Sequence, residues 1–274
     1  PVGAWSTGGT MNTARFQLGS AGIYTSALAF GGQPPTTGAT ESYDGSSWTE
    51  VNDLNTARYQ LGGAGTQTSA LAFGGDPGDV AITESWNGSN WTEVADLNTA
   101  KKTMGTAGAS NTSALAFGGN NPATATTESW NGSAWTEVND LNTARRLLGS
   151  NGTATSALAY GGHPPVRAFT ESWNGSSWTE LNDLNTARRN LAGAGSDNTS
   201  ALAFGGLTPS ITAKTEDWNG ASWVEVADLS TAIADHTGTG TTTNALSFGG
   251  DAPPATGATE EWSGSSSTIK VLTD

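Results

Sequence analysis

Cysteine is absent from the 274 residues, which removes disulfides and thiolate metal sites together. Histidine occurs twice, at His163 and His236, so imidazole chemistry has almost no material to work with. Cations are scarce as well: 11 Lys and Arg stand against 25 Asp and Glu, a formal charge of −14. That balance disfavours attraction to a phosphate backbone and to an anionic membrane surface, so neither nucleic acid nor membrane is expected as a partner. No apolar run approaches the length of a membrane span, and Pro1 to Trp5 lack the basic-then-apolar order of a secretory leader. The chain reads as soluble and as part of something longer. Helical apolar spacing is missing throughout.

What is present is repetition. The stretch Thr68-Ser69-Ala70-Leu71-Ala72-Phe73-Gly74-Gly75 has near-copies along the whole length. Their double glycines begin at Gly31, Gly74, Gly118, Gly161, Gly205 and Gly249, in steps of 43, 44, 43, 44 and 44 residues. Such a step is the size of a propeller blade. One unit reads as four short strands. Strand a is Gly-rich (Gly62-Gly63-Ala64-Gly65), and strand b, Ser69 to Phe73, is apolar on both faces, as a doubly covered strand must be. Strand c ends at Trp86 before the turn dipeptide Asn87-Gly88, and strand d returns from Trp91 to Val94. Small residues in strand a allow six copies to crowd round an axis, and the paired tryptophans of c and d fill the wedge between diverging blades. The expectation is an all-β protein: a single domain over 1–274, a six-bladed β-propeller of four-stranded antiparallel blades. Trp5 precedes Gly31 by 26 residues, as Trp48 precedes Gly74. Ala4-Trp5-Ser6 is therefore expected to supply strand d of the last blade, with Ser267 to Leu272 as a competing strand.

The order of these landmarks resembles the kelch repeat. Gly31-Gly32, then Tyr43-Asp44-Gly45, Trp48 and Leu54-Asn55-Thr56-Ala57-Arg58 follow the kelch pattern, and the other units repeat it with Trp in place of Tyr43. The resemblance covers essentially the whole chain. It implies a binding or scaffold module whose ligand sits on the face of the d-to-a and b-to-c loops, with arginines at the mouth holding acidic groups. The Asn, Thr, Ser and Gly richness is similar to repeat proteins of phage particles and environmental bacteria, which implies an extracellular or virion setting. A purely architectural domain of a larger assembly, or a consensus-designed propeller, stays open beside the binding reading.

Sixteen of the 25 acids recur by position, which argues for structural duty rather than catalysis. The strand c glutamates (Glu41, Glu84, Glu128, Glu171, Glu216, Glu260) are expected to pair with a turn arginine or a backbone donor. The turn aspartates (Asp53, Asp96, Asp140, Asp183, Asp228) are expected to accept N–H groups within their own turns. No unit has the Asp/Asn spacing of a calcium loop, so neither metal nor cofactor is expected. His236, which replaces a leucine of the other units, reads as a satisfied buried histidine on strand a, beside Asp235 on the opposite strand face. Enzyme activity is not expected, because repetition gives every carboxylate the same environment.

Eight of the eleven cations lie in or just after the d-to-a turn. Arg15, Arg58, Lys101, Arg145 and Arg188 recur and are expected to pair with the repeated acids. Lys102, Arg146 and Arg189 occupy the next slot and are not demanded by the repeat; Tyr59 takes that slot in another blade. With Arg167 and His163 from a variable loop they are expected to form one basic sector, suited to bidentate recognition of carboxylate or sulfate. The candidate ligand-binding set is therefore Arg146, Arg167, Arg189, Lys102, His163 and Tyr59. The expected ligand is an acidic peptide, a protein or an anionic glycan, and the expected state is a monomer.

Overall fold

The computed structural model describes residues 3–264. Among them every regular element is a strand, and the strands form six four-stranded antiparallel sheets and one two-stranded ribbon, Leu207–Thr208 with Ser210–Ile211, in the b-to-c loop of the fifth blade. The first blade runs through Gly19–Ile23, Ser26–Phe30, Thr40–Tyr43 and Trp48–Val51 as strands a to d. Four further blades repeat that order. The sixth takes strands a, b and c from Thr237–Gly240, Asn244–Phe248 and Thr259–Ser263, and its outer strand from Ala4–Thr7. Trp5 stands opposite Trp262 in that pairing, so the amino-terminal strand closes the ring as its sequence position required. The alternative strand at Ser267 to Leu272 falls outside the described residues.

The six a strands pack side by side round the axis, and glycine is what lets them. A Cβ on Gly63 would lie 2.3 Å from the Ser20 carbonyl oxygen of the neighbouring blade, which no side chain tolerates. Strand b is buried along its whole apolar length, as in Ala70, Leu71, Ala72 and Phe73. The tryptophans then join blade to blade. Each strand d indole packs against a strand b ring of the preceding blade, Trp135 on Phe73 with centroids 4.9 Å apart. Its Nε1 donates to a strand c threonine of that same neighbour: Trp91 to Thr40, Trp135 to Thr83, Trp178 to Thr127 and Trp223 to Thr170. Trp5 reaches Thr215 and Trp48 reaches Thr259, so the series runs unbroken through the closure. Strand c indoles turn inward instead and donate to the a-to-b turn of their own blade, Trp86 to the Gln67 carbonyl.

The d-to-a connections carry the polar core. Arg58 leaves one turn and enters the next blade, where it bonds Glu84 and the carbonyls of Gly74, Ile82 and Ala72. Arg15–Glu41, Lys101–Glu128, Arg145–Glu171 and Arg188–Glu216 repeat the pair, and every one of these cations is fully buried. The same glutamate also accepts from the turn asparagine, Glu84 from the Asn55 backbone N–H at 2.8 Å and from its Nδ2 at 2.8 Å. The expected choice between arginine and backbone donor is thus resolved as both. The turn aspartates differ from expectation. Asp53, Asp96, Asp140 and Asp228 accept the N–H that opens strand c, 13 residues earlier, so each aspartate fastens its turn to its own blade rather than bonding within the turn.

Candidate functional site

Antiparallel order places the d-to-a turns and the b-to-c loops on one face, and backbone bonds join them. Phe16 pairs with Gln33, Tyr59 with Asp76, Arg146 with His163, Arg189 with Leu207 and Ala234 with Asp251. Each of these is the slot after the repeated cation, or after Ile233 which takes the cation's place in the sixth blade, bonded to the residue after Gly-Gly. A side chain in either position is thereby held at the rim by a frame it did not build.

Arg146, His163, Arg167 and Arg189 are brought together in this frame, where blades four and five meet. Arg146 and His163 exchange backbone bonds of 2.9 Å in both directions, and the Arg188 N–H donates to the Arg167 carbonyl at 3.0 Å, which sets Arg167 next to the Arg189 turn. The imidazole of His163 is held below its ordinary pKa, first by desolvation and then by the positive charges of Arg189 and Arg146. Arg167 lies over the Phe169 ring, its guanidinium carbon 4.9 Å from the centroid, and donates weakly to the Pro164 carbonyl. Among the described residues none of these three arginines makes an ion pair, whereas all five repeated cations do. Phe169 was legible only as a non-repeat loop aromatic; the guanidinium above it explains its presence.

Lys102 and Tyr59 do not join that sector. Lys102 bonds Asp76 at 3.3 Å and Asp79 at 2.6 Å, and the Tyr59 hydroxyl donates to Asp76 at 2.9 Å. These contacts raise the pKa of Lys102 and lower that of Asp76, so the charges there are answered locally. The reason is sequence placement: blade two alone puts two aspartates, Asp76 and Asp79, in its b-to-c loop.

A second feature of this face is the axial opening, and here the sequence reading needs correction. Asp235 does not lie in a strand. It has φ +53°, and the equivalent residues Gln17, Gln60, Thr103, Leu147 and Asn190 have φ between +53° and +56°. Each donates its N–H to the carbonyl of the corresponding residue one blade back, at 2.8 to 3.1 Å, and the Gln17 to Asp235 bond closes the circle. Six blades are thus linked by a ring of six backbone hydrogen bonds round the mouth. A left-handed conformation is costly for threonine and leucine, so this ring is what holds them there. Just below sit Leu18, Leu61, Met104, Leu148, Leu191 and His236. His236 is buried as expected but poorly satisfied: neither Nδ1 nor Nε2 makes a well-formed hydrogen bond, and only the Phe204 backbone lies near enough to act on the ring. Burial depresses its pKa to about 3, with the Arg188 charge adding to the effect.

No family model and no curated protein matches the chain. Among the described residues no three His, Cys, Asp or Glu side chains converge as a metal site would require, and no helix is long and apolar enough to cross a membrane.

Proposed function

We propose that the chain is a non-enzymatic recognition module of kelch-like organisation that binds a carboxylate- or sulfate-bearing ligand, an acidic peptide or protein or an anionic glycan, at Arg146, Arg167 and Arg189. One observation carries this reading: on a protein of charge −14, Arg146 and Arg189 gather beside His163 with Arg167 in the adjoining loop, and among the described residues none of the three makes an ion pair. Structural arginines in the same molecule behave differently, being buried one by one against a repeated glutamate. A planar fork already stacked on Phe169 loses less freedom on binding an anion than a free side chain would.

The test is titration of isotopically labelled protein with sulfated and sialylated oligosaccharides and with acidic peptides. Shifts should centre on Arg146, His163, Arg167 and Arg189, weaken with added salt as screening demands, and be reduced at least several-fold by Arg146→Ala with the melting temperature unchanged. Shifts confined to the opposite face of the Asn-Gly hairpins, or absent for every anion, would favour an architectural domain without a ligand on this face.

A further inference from the structure

The axial mouth breaks the sixfold pattern in one place, and the break has a chemistry of its own. The cavity there measures about 100 Å3. It opens onto a second space of about 160 Å3 below the leucine layer. At about 30 Å3 for each water in the liquid, the upper space alone has room for several heavy atoms. One side is polar and rich in acceptors. Asp235 receives Gln17 Nε2 at 3.1 Å and Asn190 Nδ2 through its Oδ1, while its Oδ2 makes no hydrogen bond to the described residues. Asn190 Oδ1 is buried without a donor, and His236 lies just beneath with its ring against Phe204. Next to Asn190 the lining is Leu147 and Leu148, followed by Thr103 and Met104, with Gln60 across the ring.

Unmade hydrogen bonds on buried polar atoms are costly, and Asn190 Oδ1, without a donor beside the Asp235 carboxylate, calls for one. An acceptor cluster backed by a carboxylate calls for a donor with positive charge. The apolar flank calls for a short hydrocarbon body attached to that charge. A bare metal ion would gain nothing from the leucines. We propose that the mouth of the axial channel is a binding site for an alkylammonium group, with the ammonium on Asp235 and Asn190 and the carbon chain against Leu147 and Met104. The charge balance supports this. Desolvation raises the pKa of Asp235 more than the hydrogen bonds from Gln17 and Asn190 lower it, Asp251 adds to the rise and Arg189 opposes it weakly, so a cation in the mouth favours the charged carboxylate. The site adjoins the arginine sector, since Leu147 and Asn190 directly follow Arg146 and Arg189, but the amine would meet Asp235 and Asn190 rather than the guanidiniums, and neither reading requires the other.

The experiment uses n-butylammonium as probe at pH 7.5, with n-butanol and butyrate as matched neutral and anionic controls, read by amide shifts of the whole chain. Saturable shifts at Gln17, Leu147, Asn190 and Asp235 are expected for the amine alone, and Asp235→Asn, which keeps the shape, should weaken binding at least tenfold. Leu147→Lys, which tethers an ammonium at the mouth, should block the probe in a folded ring whether or not the Asp235 variant is stable. Nα-acetyl-lysine methylamide separates the two sources of the group: binding means that a lysine side chain enters, and binding of butylammonium alone means a small free amine. Equal shifts with butanol, undiminished binding by Leu147→Lys, or stronger displacement by calcium chloride than by the amine would each overturn the proposal.

Discussion

Arg188 Nη2 lies 2.9 Å from Glu216 Oε1 with neither side chain exposed to solvent, and one blade further on the same two positions are Ile233 and Glu260. Five blades therefore contain a buried cation and carboxylate, and the sixth contains only the carboxylate. Glu260 still accepts the N–H groups of Ser230 at 2.8 Å and Thr231 at 3.2 Å. It is partly exposed where its five counterparts are buried, so solvent takes over what the guanidinium does elsewhere. The carbonyls of Gly249 and Ala258, which match arginine acceptors Gly205 and Lys214 in the fifth blade, remain in place.

The two exchanges at this position should therefore be unequal. Arg188→Ile strands Glu216 in the core without its cation, and removal of one partner of a buried pair costs about 3 to 5 kcal/mol. Ile233→Arg enters a socket already lined by Glu260 and two carbonyls, and is expected to shift the unfolding midpoint far less. Denaturant titration of both variants measures the difference; equal losses would mean that the sixth socket has closed round the isoleucine.

Replacing Trp135 by Ala removes the contact with Phe73 and the 3.0 Å bond to Thr83 at once. The expected loss is roughly 3 to 5 kcal/mol, as for other large-to-small changes in a core. The nearby loop from Asn121 to Ala123 should accept substitution within about 0.5 kcal/mol. Asn120 must be left alone, because it accepts the Lys102 N–H at 3.1 Å and donates to the Ala100 carbonyl at 3.0 Å. Thermal melts of the two variants give the ranking directly.

The blade count, the strand order, the glycine hub and the ring closure were all legible because each is written six times. Repetition lets a weak signal such as Gly-Gly followed by Trp be read against five copies of itself. The buried Arg–Glu pairs were legible for the same reason. The sites were less so, since they lie where the repeat is broken and every broken slot is a single observation. Arg146 and Lys102 occupy the same slot and look alike in sequence. Only the folded loop shows that Asp76 and Asp79 neutralise Lys102, while Arg146 makes no ion pair among the described residues. The mouth is less legible because a left-handed residue beside a strand looks like strand in sequence; the available signal is the slot Gln17, Gln60, Thr103, Leu147, Asn190, Asp235, which varies freely just before a nearly constant leucine position.

Deleting the residues before Gly8 should destabilise the ring far beyond the loss of an ordinary frayed end. Trp5 is 9 % exposed, with its ring 5.0 Å from Phe204 and 5.4 Å from Trp262, and its Nε1 bonds Thr215. Its loss uncovers the edge of strand c from Thr259 to Ser263 and the apolar contact between blades five and six. Adding a synthetic peptide of the deleted sequence should restore part of the lost melting temperature, in a concentration-dependent way. A melt unchanged by the deletion would show that another segment can take the outer place.

The last prediction concerns acid. His236 is neutral in the folded ring, since burial holds its pKa at about 3, whereas an unfolded chain protonates it near 6.5. Between those values the unfolded state binds the extra proton, so stability is intact above about pH 6.5 and falls as the pH is lowered toward 3, by at most about 1.4 kcal/mol for each unit. Asp235 acts in the opposite sense, its raised pKa favouring the folded state just above the ordinary carboxylate range, and Asp217, also raised by burial, does the same. Comparison with His236→Leu separates these effects. The leucine restores the residue that Leu18, Leu61, Leu148 and Leu191 supply in four other blades, and it leaves no unpartnered nitrogens beside Phe204. The variant is expected to melt higher than the parent already at pH 7, because the cost of the unmade hydrogen bonds is gone. Its advantage should widen steadily as the pH falls from 6.5 to 4. An advantage that stays constant over that range would mean that the imidazole accepts a proton in the folded ring, with a partner supplied from the channel.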